Sequence, residues 1–256
     1  MDRIFGIEFS DRTESELVSL LTNEVAPPGG GVRSLFTANL DHIVNLQKNA
    51  ELRDAYRSAW AATIDGFPVF LYSRLRGSNI RSRVTGSDLT EHLLARLPAA
   101  PSRCFLVTST AQVAEKLATR LTARGFSPGS IAFDTPPFGF EEDGSYSSQL
   151  TRRVRAHGTT HLFLGVGSPK SEVWVHRYRL ELGDCYALCV GAGLEFSVGD
   201  KRRAPRWMRR FGLEWCWRLA QEPRRLFRRY ILNSWSFLGA VWRDLRVSRE
   251  VSRPAE

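Results

Sequence analysis

His161-Leu162-Phe163-Leu164-Gly165-Val166-Gly167-Ser168-Pro169-Lys170-Ser171-Glu172 runs from a short apolar stretch, through two glycines, into a helix opened by proline. Residues 161–166 are too few for a helix and suit a strand buried on both faces. Pro169 suits a first helical turn, where its missing N–H costs nothing. Comparable apolar runs occur at residues 4–9, 33–38, 61–64, 103–108, 130–133 and 186–190. Between them, residues 14–25, 41–49, 88–97, 111–124, 149–157 and 169–180 carry apolar side chains at helical spacing. Strand and helix alternate, which predicts an α/β fold: a mostly parallel sheet flanked by helices, with sites at the carboxyl ends of strands. Residues 26–31 read as a flexible turn and 134–148 as a mobile surface loop.

Charge divides the chain elsewhere. Residues 200–256 hold fifteen of the 36 Lys and Arg and six of the 27 Asp and Glu, a formal +9 that leaves residues 1–199 neutral. Five of the seven tryptophans (Trp207, Trp215, Trp217, Trp235 and Trp242) lie in the same basic segment. Within it Phe227, Ile231, Trp235, Leu238, Trp242 and Leu245 recur at spacings of three and four, making a basic amphipathic helix with aromatic anchors. Arginine beside tryptophan suits a bilayer surface or a nucleic acid, and the stripe could instead pack onto the α/β part. We divide the chain accordingly into an α/β domain, 1–199, and a helical appendage, 200–256.

The remaining composition excludes several classes. An apolar fraction of 43% over 256 residues rules out global disorder. The start is not a secretory signal, so a cytosolic protein is expected. The longest charge-free apolar stretch of the appendage, 230–242, is too short to cross a bilayer, which takes about 20 residues. Cys104, Cys185, Cys189 and Cys216 lack the pairing of a zinc site and read as reduced thiols. There is no Asp-x-Asp, no metal-site histidine spacing and no Gly-x-Ser-x-Gly elbow.

Four segments after strands could carry chemistry. Thr37-Ala38-Asn39 offers a hydroxyl and an amide at a helix start, although Asn39 also suits an ordinary N-cap. Asp65 of Ile64-Asp65-Gly66 could act as a base at the ligand edge, while Asp-Gly is equally turn chemistry. Arg83 precedes Gly86 and a helix that Ser87 would cap, an anion site or a surface arginine beside a capping box. Gly165, Gly167 and Lys170 bring close backbone approach, a helix end and a cation to a diphosphate, and a Gly191-Ala192-Gly193 turn follows the next strand.

Taken together these segments resemble the WecG/TagA/CpsF family of bacterial glycosyltransferases. The resemblance includes residues 37–42, 64–66, 83–88, 165–172 and 191–193, and continues through 203–208, 212–215 with 218–219, and 221–226. It implies a Rossmann-like domain that transfers a hexose from a UDP-sugar to a polyprenyl-diphosphate-linked saccharide with inversion and without metal or other cofactor. N-acetylmannosamine, its uronic acid and glucose are the donors it suggests. It implies Asp65 as general base, Arg83 as phosphate ligand, and Thr37 and Asn39 in the sugar pocket. It also places Arg218, Arg225 and Arg228 in an appendage that closes over the site and docks on the membrane. Gly66, Gly86, Gly165, Gly167, Lys170, Ser171, Gly191 and Glu195 complete the expected substrate contacts. Two departures stand out: Ser171 replaces a glutamine common in the family, and Glu195 replaces an aspartate. The expected partners are a UDP-sugar donor, a lipid-linked saccharide acceptor and an anionic membrane surface, with a homo-oligomer allowed and no nucleic acid. The expected place is the inner face of the cell membrane. A non-catalytic scaffold of a polysaccharide pathway and a nucleic-acid-binding protein are the alternatives.

Overall fold

The structure, a computed structural model, describes residues 3–205, 207–208, 212–221 and 223–251; for 225–233 and 247–251 it describes the backbone alone. Six parallel strands form one sheet: β3 (Arg33–Ala38), β4 (Ala61–Ile64), β5 (Cys104–Val107), β6 (Ile131–Asp134), β7 (His161–Leu164) and β8 (Tyr186–Cys189). Their order is β4-β3-β8-β7-β5-β6. From β3 the chain steps outward to β4, crosses to β5 and β6, and returns through β7 to β8 beside β3. Reversal of direction at the β3/β8 pair opens a crevice at the carboxyl ends of these strands.

Alternate side chains within the strands feed two cores. Phe36, Ala38, Phe105, Val107, Leu162, Leu164 and Cys189 pack on one face, and Leu35, Cys104, Leu106, Phe163 and Leu188 on the other. The first face is covered by α2 (Leu40–Leu46), α3 (Ala50–Arg57), α4 (Phe67–Leu75), α7 (Gly144–Ala156) and α8 (Lys170–Arg177). The second is covered by α1 (Glu14–Asn23), α5 (Gly86–Arg96), α6 (Ala111–Ala123) and α9 (Gly193–Ser197). This is the α/β architecture expected from the alternation, Rossmann-like as the resemblance implies, and the helices described beyond it include α10 (Glu214–Gln221) and α11 (Pro223–Val251). Cys104, Cys185, Cys189 and Cys216 are free thiols, the first three buried.

Several local expectations need correction. Residues 4–9 do not form a core strand. They make a hairpin of β1 (Arg3–Ile4) and β2 (Ile7–Glu8), because Phe5 and Gly6 both take positive φ (55° and 73°), the two-residue turn that reverses a strand at once. Residues 134–148 are not a free loop: Asp134 ends β6, Phe140 is buried, and Asp143 caps α7 through the Tyr146 N–H. Ser87 does not cap α5; Thr85 does, its hydroxyl accepting the Asp88 N–H at 3.0 Å. Helices α3 and α4 were not expected at all.

The apolar stripe of α11 does not pack onto the body where its side chains are described. Trp235 (73%), Leu238 (58%) and Trp242 (53%) are exposed, as is Leu245. The packed face is Phe237, Ala240 and Val241, which lie against the hairpin and the first core, with α2 alongside. Its fastening is Asp244, whose Oδ1 accepts the Phe5 N–H at 2.6 Å and whose Oδ2 accepts the Tyr72 hydroxyl at 2.7 Å and a guanidinium N–H of Arg76. No described helix is long and apolar enough to cross a membrane.

Candidate active site

The carboxyl ends of β3, β4, β7 and β8, with the first turns of α5 and α9, enclose a cleft of two lobes. The inner lobe, about 520 Å3, lies among the strand ends and is walled by Thr37, Gly165, Gly167, Gly191, Glu195 and Lys201. The outer lobe, about 390 Å3, lies under the appended helices and is walled by Leu40, Phe67, Pro68, Arg83, Trp215 and Ser234. Asn39, Asp41, Asp65, Ser87 and Arg218 line both, so Asp65 stands where the lobes join.

Strand pairing sets Asp65 in place. It follows β4 directly, and its N–H donates to the Ala38 carbonyl at 2.8 Å, extending the β3/β4 ladder into the site. Its carboxyl is pushed up from 3.8 to about 6, first by removal from bulk water and then by the nearby charge of Glu214. Arg218, Arg83 and His42 pull in the opposite direction and lose. Arg83 donates to the Asp65 carbonyl at 3.2 Å, and its guanidinium lies 5.8 Å from the Phe67 ring. An acid of this kind is ionised at neutral pH yet holds a proton better than an ordinary carboxylate, which suits general-base work.

Asn39 caps α2, its side-chain oxygen accepting the Asp41 N–H at 3.0 Å. It also begins a polar chain: Asn39 Oδ1 lies 2.9 Å from His42 Nδ1, and His42 Nε2 lies 3.3 Å from Glu172 Oε1 on buried α8. Glu172 Oε2 has no hydrogen-bond partner among the described residues. The Thr37 hydroxyl donates to the Cys189 carbonyl at 3.3 Å, tying β3 to β8 beneath the inner lobe.

Three of the glycines serve loop against loop. A Cβ at Gly86 would fall 2.8 Å from the Val190 carbonyl oxygen and 3.0 Å from Thr37 Oγ1, and one at Gly193 would fall 2.8 Å from the Gly86 carbonyl oxygen. Gly66 presses in the same way on Asn39. Bare backbone lets the strand ends converge, and the space a side chain would need is already filled by protein. Gly167, at φ 89°, supplies the turn into α8.

Not every expected residue reaches the cleft. Lys170 turns away from both lobes: its Nζ lies 3.7 Å from Glu141 Oε1 and 3.5 Å from the Phe138 ring centroid. Ser171 is buried and donates to the Gly167 carbonyl at 3.0 Å. Arg225 and Arg228 lie outside the described side chains. Arg218 reaches the cleft, its guanidinium 5.7 Å from the Phe196 ring. Lys201, which sequence reasoning missed, lines the inner lobe and pairs with Glu195, whose other oxygen accepts the Ser109 hydroxyl at 2.8 Å. Glu214 was also missed; an acid within an arginine-rich segment was the readable signal. Helix α10 is held over the cleft by Trp217 Nε1 and Gln221 Nε2, which donate to the Arg202 carbonyl at 3.1 and 3.2 Å. No group of three or more His, Cys, Asp or Glu among the described residues could hold a metal ion.

A two-lobed cleft with half-buried Asp65 where the lobes join, and arginines beside it, suits two substrates and a base between them. Residues 3–251, nearly the whole chain, match the family described as Glycosyl transferase WecG/TagA/CpsF family, and the chain belongs to that family of glycosyltransferases.

Proposed function

We propose that the protein transfers a hexose (N-acetylmannosamine, its uronic acid or glucose) from a UDP-sugar to a polyprenyl-diphosphate-linked saccharide, with inversion and without a metal. The inner lobe takes the donor and the outer lobe the acceptor, with Asp65 between them. The acceptor hydroxyl gives its proton to Asp65 as its oxygen attacks the anomeric carbon, and the bond to UDP breaks with its electron pair leaving on the diphosphate. Arg218 and Lys201, which line the inner lobe, face that developing charge before water can intervene, with Arg83 on the outer-lobe side at the Asp65 carbonyl. The position of Asp65, shared by both lobes and raised to about 6, carries this reading.

Residues 200–256 act as a helical appendage that roofs the outer lobe and meets the membrane from the cytoplasmic side. The exposed Trp235, Leu238 and Trp242 and the +9 charge of this segment support peripheral attachment to anionic lipid. The test is UDP release from a panel of UDP-hexoses with lipid-linked acceptor in anionic vesicles. Acceptor-dependent release by the wild type that falls about 10²- to 10⁴-fold in Asp65→Asn supports the assignment, and a wild-type rate in the variant sinks it.

A further inference from the structure

We infer that α4, a helix of the α/β body, is a second lipid-facing element, so that a bilayer covers both α4 and the exposed stripe of α11. The inference rests on the membrane reading proposed above. Phe67, Leu71 and Leu75 recur every four residues on one side of α4, with Leu71 49% and Leu75 78% exposed, while Val69, Tyr72 and Ser73 are buried. Exposed leucines at helical spacing, on a helix whose polar neighbours include the exposed Arg74, form a face that water does not favour.

Two observations select lipid as the occupant. First, α4 and α11 are mechanically joined: Tyr72 of α4 and Arg76, the residue that ends it, both bind Asp244 of α11. The exposed stripe of α11 pairs a ring with a cation, the Arg246 guanidinium lying 3.3 Å from the Trp242 ring centroid, an arrangement suited to headgroup level. Second, the first turn of α4 supplies Phe67 and Pro68 to the outer lobe, and Leu71 and Leu75 follow in the next two turns. A lipid-linked acceptor lying along this face reaches Asp65 without its isoprenoid chain leaving the bilayer.

The experiment compares the full-length wild type with Leu71→Glu/Leu75→Glu in flotation with vesicles rich in anionic phospholipid, with Trp242→Glu as the reference. Neither leucine lines the cleft, so turnover of a short-chain, soluble acceptor should stay within about twofold of wild type, which also reports folding. Vesicle partitioning of the double variant should fall by about tenfold or more, and KM for lipid-linked acceptor in vesicles should rise in step. Unchanged partitioning of the double variant, while Trp242→Glu loses it, would confine lipid contact to α11 and overturn the inference. A change in oligomeric state with lipid binding intact would assign the stripe to a second copy and overturn it equally. Wild type that fails to float at all would remove the membrane reading itself, an outcome distinct from both.

Discussion

Replacing Asp65 with asparagine should make the protein more stable while removing its activity. The carboxyl ordinarily titrates near 3.8 and is pushed to about 6 in the fold, chiefly by burial. Each tenfold change in proton affinity corresponds to about 1.4 kcal/mol, so ionised Asp65 opposes folding by up to roughly 3 kcal/mol at neutral pH. A folded-state value above the unfolded one means that this stability is fully present below 3.8 and is lost as pH rises through about 6. Asparagine resembles the protonated acid at every pH. The stability gap between Asp65→Asn and wild type should therefore be near zero at pH 4 and widen to its full value by pH 7.5. In a chain of this length each kcal/mol shifts Tm by about 2–4 °C, which makes the gap several degrees. Urea denaturation of both proteins at a series of pH values measures it, and taking the difference cancels every other titrating group. A variant no more stable than wild type at pH 7.5, or a gap of equal size at pH 4, would refute the picture of a carboxylate held charged against its surroundings.

Asp244→Ala should cost about 3 kcal/mol by removing the carboxylate that the Arg76 guanidinium, the Tyr72 hydroxyl and the Phe5 N–H share. Hydrogen exchange should show α11 losing protection before the sheet, and the Tyr72 hydroxyl, now pushed up to about 12, should titrate lower. Gly86→Ala should cost roughly 1–3 kcal/mol by forcing a methyl against the Val190 carbonyl, and urea midpoints will check it. His161, whose Nε2 lies 2.8 Å from the Leu21 carbonyl, is pushed down to about 4 by burial. Its lowered value means that stability present above 6.5 is lost as pH falls towards 4, by up to roughly 3 kcal/mol, and His161→Gln should flatten that slope in the same urea series.

The sheet was readable because its strands are buried on both faces, leaving runs such as Cys104–Val107 and Tyr186–Cys189 with little but apolar side chains. What failed was set by contacts far along the chain. Phe67-Pro68 after an Asp-Gly reads as the continuation of a turn, yet Pro68 is a helix-opening residue and α4 owes its place to Tyr72 meeting Asp244. At α5, Thr85 and Ser87 have equal capping chemistry, and the approach of Gly86 to Val190 and Thr37 fixes which one caps. In the site, Asp65 was legible from its place after a strand; Arg83 was expected after one too but lies between α4 and α5, and only its place ahead of a helix start was legible. The direction of Lys170 was not, because rotation of α8 depends on how Trp174 and Val175 bury. Glu214 and Lys201 join the cleft through folding of the appended segment, which spacing alone does not encode.

The bond from Asp244 to Phe5 joins positions 239 residues apart, and Ser234, ten residues earlier on α11, helps wall the outer lobe. During synthesis the six-stranded sheet can assemble while residues beyond 230 are still inside the ribosome, since chains fold from the amino end as they emerge. The hairpin at residues 3–8 must then wait, its Phe5 amide without this partner, until α11 arrives. The lobe proposed for the acceptor thus comes into being last, and a nascent chain has no complete place for that second substrate until its basic helix has left the ribosome.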